Sequence, residues 1–220
     1  YADNKDYLTD TDYTDETVEV SNIALLSNPI ECGAKKPVVW YQLTKLMEQA
    51  DTQVKIHTPY IICNEYMYDG LKKVCDSVEN VSLMTNSVGN NGNPFGSADY
   101  YAHKDKVLGT GLEVWEYEGG YSYHGKSVLI DDDISVVGSF NIDMRSVYLD
   151  TELMLVINSK DINKQLKASM EEYEKKAATV KNETEYSHIP EGMKMKELSD
   201  KKKNIKAWFG WAMNGLRFLF

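Results

Sequence analysis

The chain has 220 residues, 42% of them apolar and 26% charged, enough to bury a core and too apolar for wholesale disorder. With 24 basic residues against 34 acidic ones the net charge is -10, which disfavours nucleic acid as the main partner, because that binding rests on cationic surface. No run of eighteen apolar residues could span a bilayer, and the three cysteines (Cys32, Cys63, Cys75) form no disulfide framework and no zinc-type CxxC pair.

The chain opens at Tyr1 with no signal peptide and reads as an excised piece of something longer. Residues 1–20 carry seven acids and one base, and residues 1–34 are expected to be an acidic arm or linker. Pro37 suits the first turn of a helix running to about Ala50, with Val39, Trp40, Leu43, Leu46 and Met47 on one side. Val54–Thr58 reads as a strand, Glu65–Val78 as a helix and Val81–Thr85 as a short buried strand. Asn86–Gly96, with three Gly, four Asn and a Pro, reads as a loop, which could shape an entrance. Ser97 is the expected cap of a helix to Leu108, followed by a strand at Leu112–Tyr117.

Three strands are predicted next, at His124–Ile130, Ile134–Gly138 and Glu152–Ile157, the first two joined by a turn at Asp131-Asp132-Asp133. A helix from Ser159 or Asp161 to Ala178 follows, then a polar connector over 179–202. Alternating strands and helices with one tight turn predict an α/β fold, a mixed sheet flanked by helices on both faces, over 35–178. The last stretch, 203–220, places Lys203, Lys206, Gly210, Asn214 and Arg217 on one stripe of a helix and Trp and Phe on the other side. Such a helix suits an anionic membrane surface, or it packs on the protein body.

Chemistry concentrates in residues 124–141, HGKSVLIDDDISVVGSFN. Two residues apart on a strand, His124 and Lys126 would share one face. The returning strand would deliver Ser139 and Asn141 beside them, and Gly138 would let backbone approach closely. An imidazole, an ammonium, a hydroxyl and an amide at one sheet end can grip a phosphate and attack it. No carboxylate cluster accompanies them, so the chemistry reads as metal-free.

This pattern, HxK(x)4D(x)6GSxN, resembles the signature of the phospholipase D superfamily at every fixed position, a coincidence expected on the order of a few times in a million chains. The likeness extends to Asp143, Arg145-Ser146 and Glu152, and back through Thr58-Pro59-Tyr60 and Thr85-Asn86-Ser87. These segments resemble the second half of bacterial cardiolipin synthases, except that Asp150 stands where many of those have Asn.

The resemblance implies transfer through a phosphohistidine, with no metal or other cofactor. His124 would be nucleophile or acid, and a second motif from a missing half or a second chain would supply the other imidazole. Lys126, Ser139 and Asn141 would hold phosphate oxygens, and Glu152 would hydrogen-bond the far nitrogen of His124. Asp131, Gly138 and Arg145 read as structural, while His57, His103 and His188 read as ordinary. The expected substrate is a phospholipid at the cytoplasmic face of a membrane, engaged peripherally through 203–220. Two rivals stand beside phosphatidyl transfer: a homodimeric phosphodiesterase or nuclease, and an inactive half that only binds membrane or its partner.

Overall fold

The computed structural model describes residue 14, residues 17–196 and residues 214–219. In chain order the elements are β1 (Asn22–Ser27), α1 (Val38–Met47), β2 (Gln53–His57), β3 (Ile61–Ile62), α2 (Glu65–Ser77), β4 (Asn80–Asn86), α3 (Pro94–Leu108) and β5 (Glu113–Tyr117). They continue with β6 (Ser127–Ile130), β7 (Ile134–Gly138), β8 (Ile142–Asp143), α4 (Met144–Tyr148), β9 (Leu153–Asn158), α5 (Lys160–Glu174), β10 (Ala177–Val180) and β11 (Tyr186–His188). A 3₁₀ turn covers Asn214–Leu219.

Nine strands form one mixed sheet in the order β1-β9-β7-β6-β2-β4-β5-β10-β11. The β2–β4 and β4–β5 pairs are parallel, whereas β6, β7, β9 and β1 run as an antiparallel succession beside β2. Short turns join β6 to β7 and β10 to β11, and helices join the parallel pairs, because only a crossover can return the chain to the same end. α1 buries Val39, Trp40, Leu43 and Met47 on one sheet face, against Val54, Ile56, Val128, Val136 and Met154. Each such side chain is worth about 2 kcal/mol on leaving water. α5 crosses the opposite face, where Tyr173 packs with Tyr117, Tyr123, Met84 and Ala177. This is the α/β sandwich expected from the alternation of patterns.

Several boundaries differ from the sequence reading. The expected arm contains β1, which pairs with β9 from Asn22↔Asn158 to Ser27↔Leu153, so the sheet begins at residue 22. Asn28, also in that arm, is buried: its Nδ2 donates to the carbonyls of Ser146 and Asp150, and its Oδ1 accepts from Val39 N at the start of α1. Local composition hides this strand, since its apolar residues gain their partners across more than a hundred residues of chain. α3 starts at Pro94 rather than Ser97, because the Asn93 side chain accepts from the amides of Phe95 and Gly96 and Pro94 supplies a ready-made first turn. α5 stops at Glu174; β10 and β11 then extend the sheet into the segment read as helix end and connector.

Most of the stretch read as an amphipathic tail helix, residues 203–213, lies outside the described residues. Residues 214–219 pack on α4 as a 3₁₀ turn. Arg217, assigned by its spacing to a polar stripe, turns inward instead. Its Nε and Nη2 donate to the two Asp99 carboxylate oxygens at 2.6 and 3.0 Å, and Nη2 also donates to Cys63 O at 2.8 Å. A buried carboxylate demands such a cation.

Candidate active site

The site lies where β2 and β4 end, at the carboxyl edge of the parallel strands, the usual crevice of open α/β sheets. β6 is antiparallel to β2, so the residues that precede it arrive at the same edge, and so do the residues that follow β7. His124 and Lys126 enter from one side, and Ser139 and Asn141 from the other. The backbone joins the two arms directly, Gly138 N donating to Lys126 O at 3.3 Å.

His124 and Lys126 precede β6 instead of lying on it. The ladder stops at His57↔Ser127, because β2 gives way there to Thr58-Pro59 and proline has no amide to donate. Free of the pleat, Lys126 folds back on its neighbour. Its Nζ lies 2.8 Å from His124 Nδ1 and 3.4 Å from Nε2, and donates to His124 O at 2.7 Å. An ammonium has only protons to give, so the nitrogen facing it at 2.8 Å is the unprotonated one. Partial burial and the Lys126 charge both hold the His124 pKa below the ordinary histidine value. Burial also lowers the Lys126 pKa, against the opposing pull of the Glu152 and Asp143 carboxylates. The Tyr60 ring meets His124 edge-on at 5.9 Å. Tyr60 belongs to the Thr58-Pro59-Tyr60 segment, whose resemblance does not reveal its contact with His124; its place three residues beyond β2 is the one signal.

Ser139 and Asn141 stand opposite. Gly138 is required by contact: a Cβ there would sit 2.1 Å from Leu153 O and 2.7 Å from Met154 Sδ. Ser139 Oγ donates to Glu152 Oε2 and accepts from Leu153 N at 3.1 Å. Ser146 Oγ donates to Glu152 Oε1 at 3.0 Å and accepts from Asn141 Nδ2 at 3.3 Å. Glu152 therefore organises the hydroxyl side of the site. The hydrogen bond expected between Glu152 and His124 is not the one formed, since two hydroxyls from β7–α4 reach the buried carboxylate and Lys126 occupies the ring nitrogen. Asn141 Oδ1 is buried without a partner among the described residues, an acceptor still to be matched.

Asp143 caps α4, its Oδ1 accepting from Ser146 N at 2.6 Å. Burial pushes its pKa up, with the Glu152 and Asp150 charges adding to the shift and the Ser146 bonds opposing it. Arg145 pairs with Asp150 at 2.9 Å on the surface of the same turn. Asp131 lies at the other end of β6, about 13 Å away over its four residues, and touches none of the site groups. His57 is buried, Nε2 paired with Glu174 Oε1 at 3.1 Å, while Lys55 Nζ holds Glu174 Oε2 at 2.8 Å. Burial lowers the His57 pKa despite that carboxylate. Neither Lys55 nor Glu174 was singled out from the sequence; they meet only because α5 folds over β2.

Beside His124 and Lys126 an open cleft of about 400 Å³ is walled by Tyr121, Tyr123, Leu166 and Tyr173. A larger cavity, about 830 Å³, is lined by Lys104, Glu116, Tyr186 and Lys196 and includes none of the motif residues. Among the described residues no cluster of His, Cys, Asp and Glu could hold a metal ion, and no helix is long and apolar enough to cross a membrane.

Known proteins resemble this chain in sequence and in fold. Residues 43–173 match the family described as "Cardiolipin synthase, PLD-like domain", PLD being phospholipase D. Cardiolipin synthase 1 of Staphylococcus epidermidis is 30% identical over 157 residues, 71% of this chain and 31% of that protein. Cardiolipin synthase 1 of Staphylococcus aureus is 28% identical over 181 residues, 80% of this chain and 36% of that protein. The chain thus spans about a third of the length of these relatives. Phosphatidylserine synthase of Haemophilus influenzae shares the fold at a TM-score of 0.66 and 16% identity, over 90% of this chain and 48% of that one. Nuc of Salmonella typhimurium, a phospholipase D family member, does so at 0.56 and 13% identity, over 72% of this chain and 97% of that one. From residue 43 to residue 173 the chain belongs to the family of cardiolipin synthase, phospholipase D-like domains.

Proposed function

We propose that this chain is one catalytic half of a phosphatidyl transferase, and that His124 supplies one of two imidazoles in a metal-independent, two-step exchange. The observation that carries this reading is the convergence of His124, Lys126, Ser139 and Asn141 on one sheet edge, in a chain of this family. In the first step a histidine nitrogen attacks the phosphodiester phosphorus. A P–N bond forms, the P–O bond to the leaving alcohol breaks, and the second imidazole gives that oxygen its proton. In the second step the same imidazole takes the proton of an incoming alcohol, whose oxygen displaces the histidine; water in that place gives hydrolysis. Lys126 donates to the phosphate oxygens as their charge grows, and the Asn141 amide and Ser139 hydroxyl hold them in place.

The second imidazole comes from another motif-bearing unit. An uncovered apolar surface beside the site supports this. Leu25 pairs with Leu155, Leu155 with Val137, and Val137 with Ser127, so one row of side chains leads from the sheet edge to Ser127, the residue after Lys126. On this face, which α5 crosses over β5, β6, β7 and β9, Ile23, Leu25 and Leu153 remain 52%, 61% and 45% exposed. Apolar surface next to a half-built site fits a second unit that completes it. The substrate class, a phospholipid at a membrane surface, follows from the family.

The test is turnover of phosphatidylglycerol and of a simple phosphodiester by this chain and by His124→Ala, with and without EDTA, with intact mass followed for a covalent adduct. Turnover or an adduct that survives EDTA and is lost in the variant is expected wherever two motifs are present. If the two-motif parent forms no adduct, or keeps its activity without this histidine, the reading fails.

A further inference from the structure

Asn86 closes β4 and is fully buried. Its amide is spent on backbone. Nδ2 donates to Tyr123 O at 2.9 Å and to Pro59 O at 3.2 Å, and Oδ1 accepts from Tyr123 N at 2.7 Å. Neither Pro59 nor Tyr123 belongs to a strand, for β2 has ended and β6 has not begun. Their buried backbone groups have lost the ladder that would satisfy them, and one side chain replaces it. Both targets are immediate neighbours of the site: Pro59 precedes Tyr60, whose ring edge meets His124, and Tyr123 precedes His124 itself.

We infer that Asn86 is a positioning residue for His124, a side-chain rung that fixes both the segment carrying the imidazole and the segment carrying the ring packed against it. Asparagine is what this rung requires. Aspartate of the same shape has no proton for the two carbonyls, leucine has neither donor nor acceptor, and glutamine is one methylene too long. The Tyr123 ring completes the grip, lying edge-on to Tyr173 at 4.8 Å and to His57 at 5.5 Å. His124 is thus an exposed imidazole on a stem held by backbone bonds on one side and by aromatic packing on the other. A reacting group needs its stem fixed in this way, since small misplacements cost large factors in rate. The importance of the rung rests on the reading of His124 as the reacting imidazole. Its physical content does not, and can be measured without turnover.

The experiment is NMR on the chain as it stands, following amide exchange and the ring titration of the histidines. In the unmodified chain the Tyr123 amide, although outside any strand, exchanges at least about a hundredfold more slowly than those of Gly120 and Gly125 in the same segment. In Asn86→Ala that protection is lost. The His124 titration midpoint then rises toward the ordinary histidine value, as the ring leaves its partly buried place and Lys126 is no longer held on it.

Ser87→Ala is the control. Ser87 is equally buried, but its hydroxyl serves Asn90 N and Glu118 rather than Tyr123, so its loss lowers stability and leaves the His124 midpoint in place. The inference is overturned if the Tyr123 amide exchanges like its loop neighbours, if Asn86→Ala leaves the His124 midpoint unchanged, or if Ser87→Ala moves it as far. Should Asn86→Ala not fold, the Tyr123 exchange rate in the unmodified chain decides alone. A protected Tyr123 in a protein that forms no phosphohistidine would refute the proposed function and leave the rung standing.

Discussion

Replacing Asp131 separates an architectural role from a chemical one for the aspartate of the HxK(x)4D motif. Its carboxylate accepts the amides of Asp51, Thr52 and Gln53 at 2.9, 2.8 and 3.1 Å and the Thr52 hydroxyl at 2.7 Å, tying the β6–β7 turn to the loop that enters β2. The residue adopts φ 51°, a left-handed backbone that Asn tolerates and Ala resists. These bonds lie near water, so each is valued at the low end, about 0.5 kcal/mol. Asp131→Ala then loses about 2 kcal/mol in hydrogen bonds and about 1 kcal/mol in backbone strain. Asp131→Asn keeps the acceptor that serves three of the bonds, loses the fourth at about 0.5 kcal/mol and sets an N–H against the Asp51 amide at about 0.5 kcal/mol more, a loss of about 1 kcal/mol. In urea at pH 7, with a slope of about 2 kcal/mol per molar, the midpoint falls by about 1.5 M for Ala and about 0.5 M for Asn.

Acid adds a second signature for Asp131. Burial pushes its pKa up, but the amide and hydroxyl donors outweigh burial and bring it below the ordinary aspartate value. The unfolded chain titrates near pH 3.9 and so binds the proton first. The stabilisation is therefore complete above about pH 4 and is lost as pH falls through the lower folded pKa. The gap between wild type and Asp131→Asn should stay constant from pH 7 to 5 and shrink below about 4. A variant as stable as wild type at pH 7, or a gap unaffected by acid, would refute the reasoning. A stable Asp131→Asn that abolished adduct formation wherever the unsubstituted chain forms one would move the residue into the chemistry.

Three other outcomes follow from the same coordinates. Gly138→Ala drives a methyl into Leu153 O and Met154 and should cost about 3 kcal/mol, read by urea unfolding, with the β7–β9 amides losing exchange protection first. Arg217→Ala strands the buried Asp99 carboxylate beside His103 and should cost about 3 kcal/mol, whereas Asp99→Asn combined with Arg217→Met should recover much of that loss; a double variant that loses the sum of the single losses would show that the pair is not coupled. Diethylpyrocarbonate should modify exposed His124 well before buried His57, and the His124 rate should be half-maximal below pH 6.5, because burial and Lys126 lower that pKa; a half-maximal rate above 6.5 would contradict the Lys126–His124 contact.

How much of the site can be read in the sequence depends on how local each contact is. His124, Lys126, Ser139 and Asn141 are legible together because they occupy one hairpin, where a turn of known length converts spacing in the chain into spacing in space. The same holds for α1 and α2, whose apolar periodicity names their buried faces. Locality also explains the misreadings. The strand expected from His124 begins only at Ser127 because its partner β2 turns away at Pro59, about seventy residues earlier in the chain. Glu152 is drawn to the site by its resemblance, yet which group it holds is decided by Ser139, just after β7, and Ser146 in α4.

By itself, then, the sequence determined the fold class, the family and the hairpin that carries the reactive groups, all of which depend on neighbours in the chain. Only the tertiary structure decided that β1 is a strand, that Arg217 points inward to Asp99, that Lys126 lies on the imidazole, and that Asn86 joins Pro59 to Tyr123. All but the Lys126–His124 contact pair a polar group or an unpaired strand edge with a partner far along the chain. Burial makes such pairing obligatory, but the sequence pattern does not say which distant group will meet it.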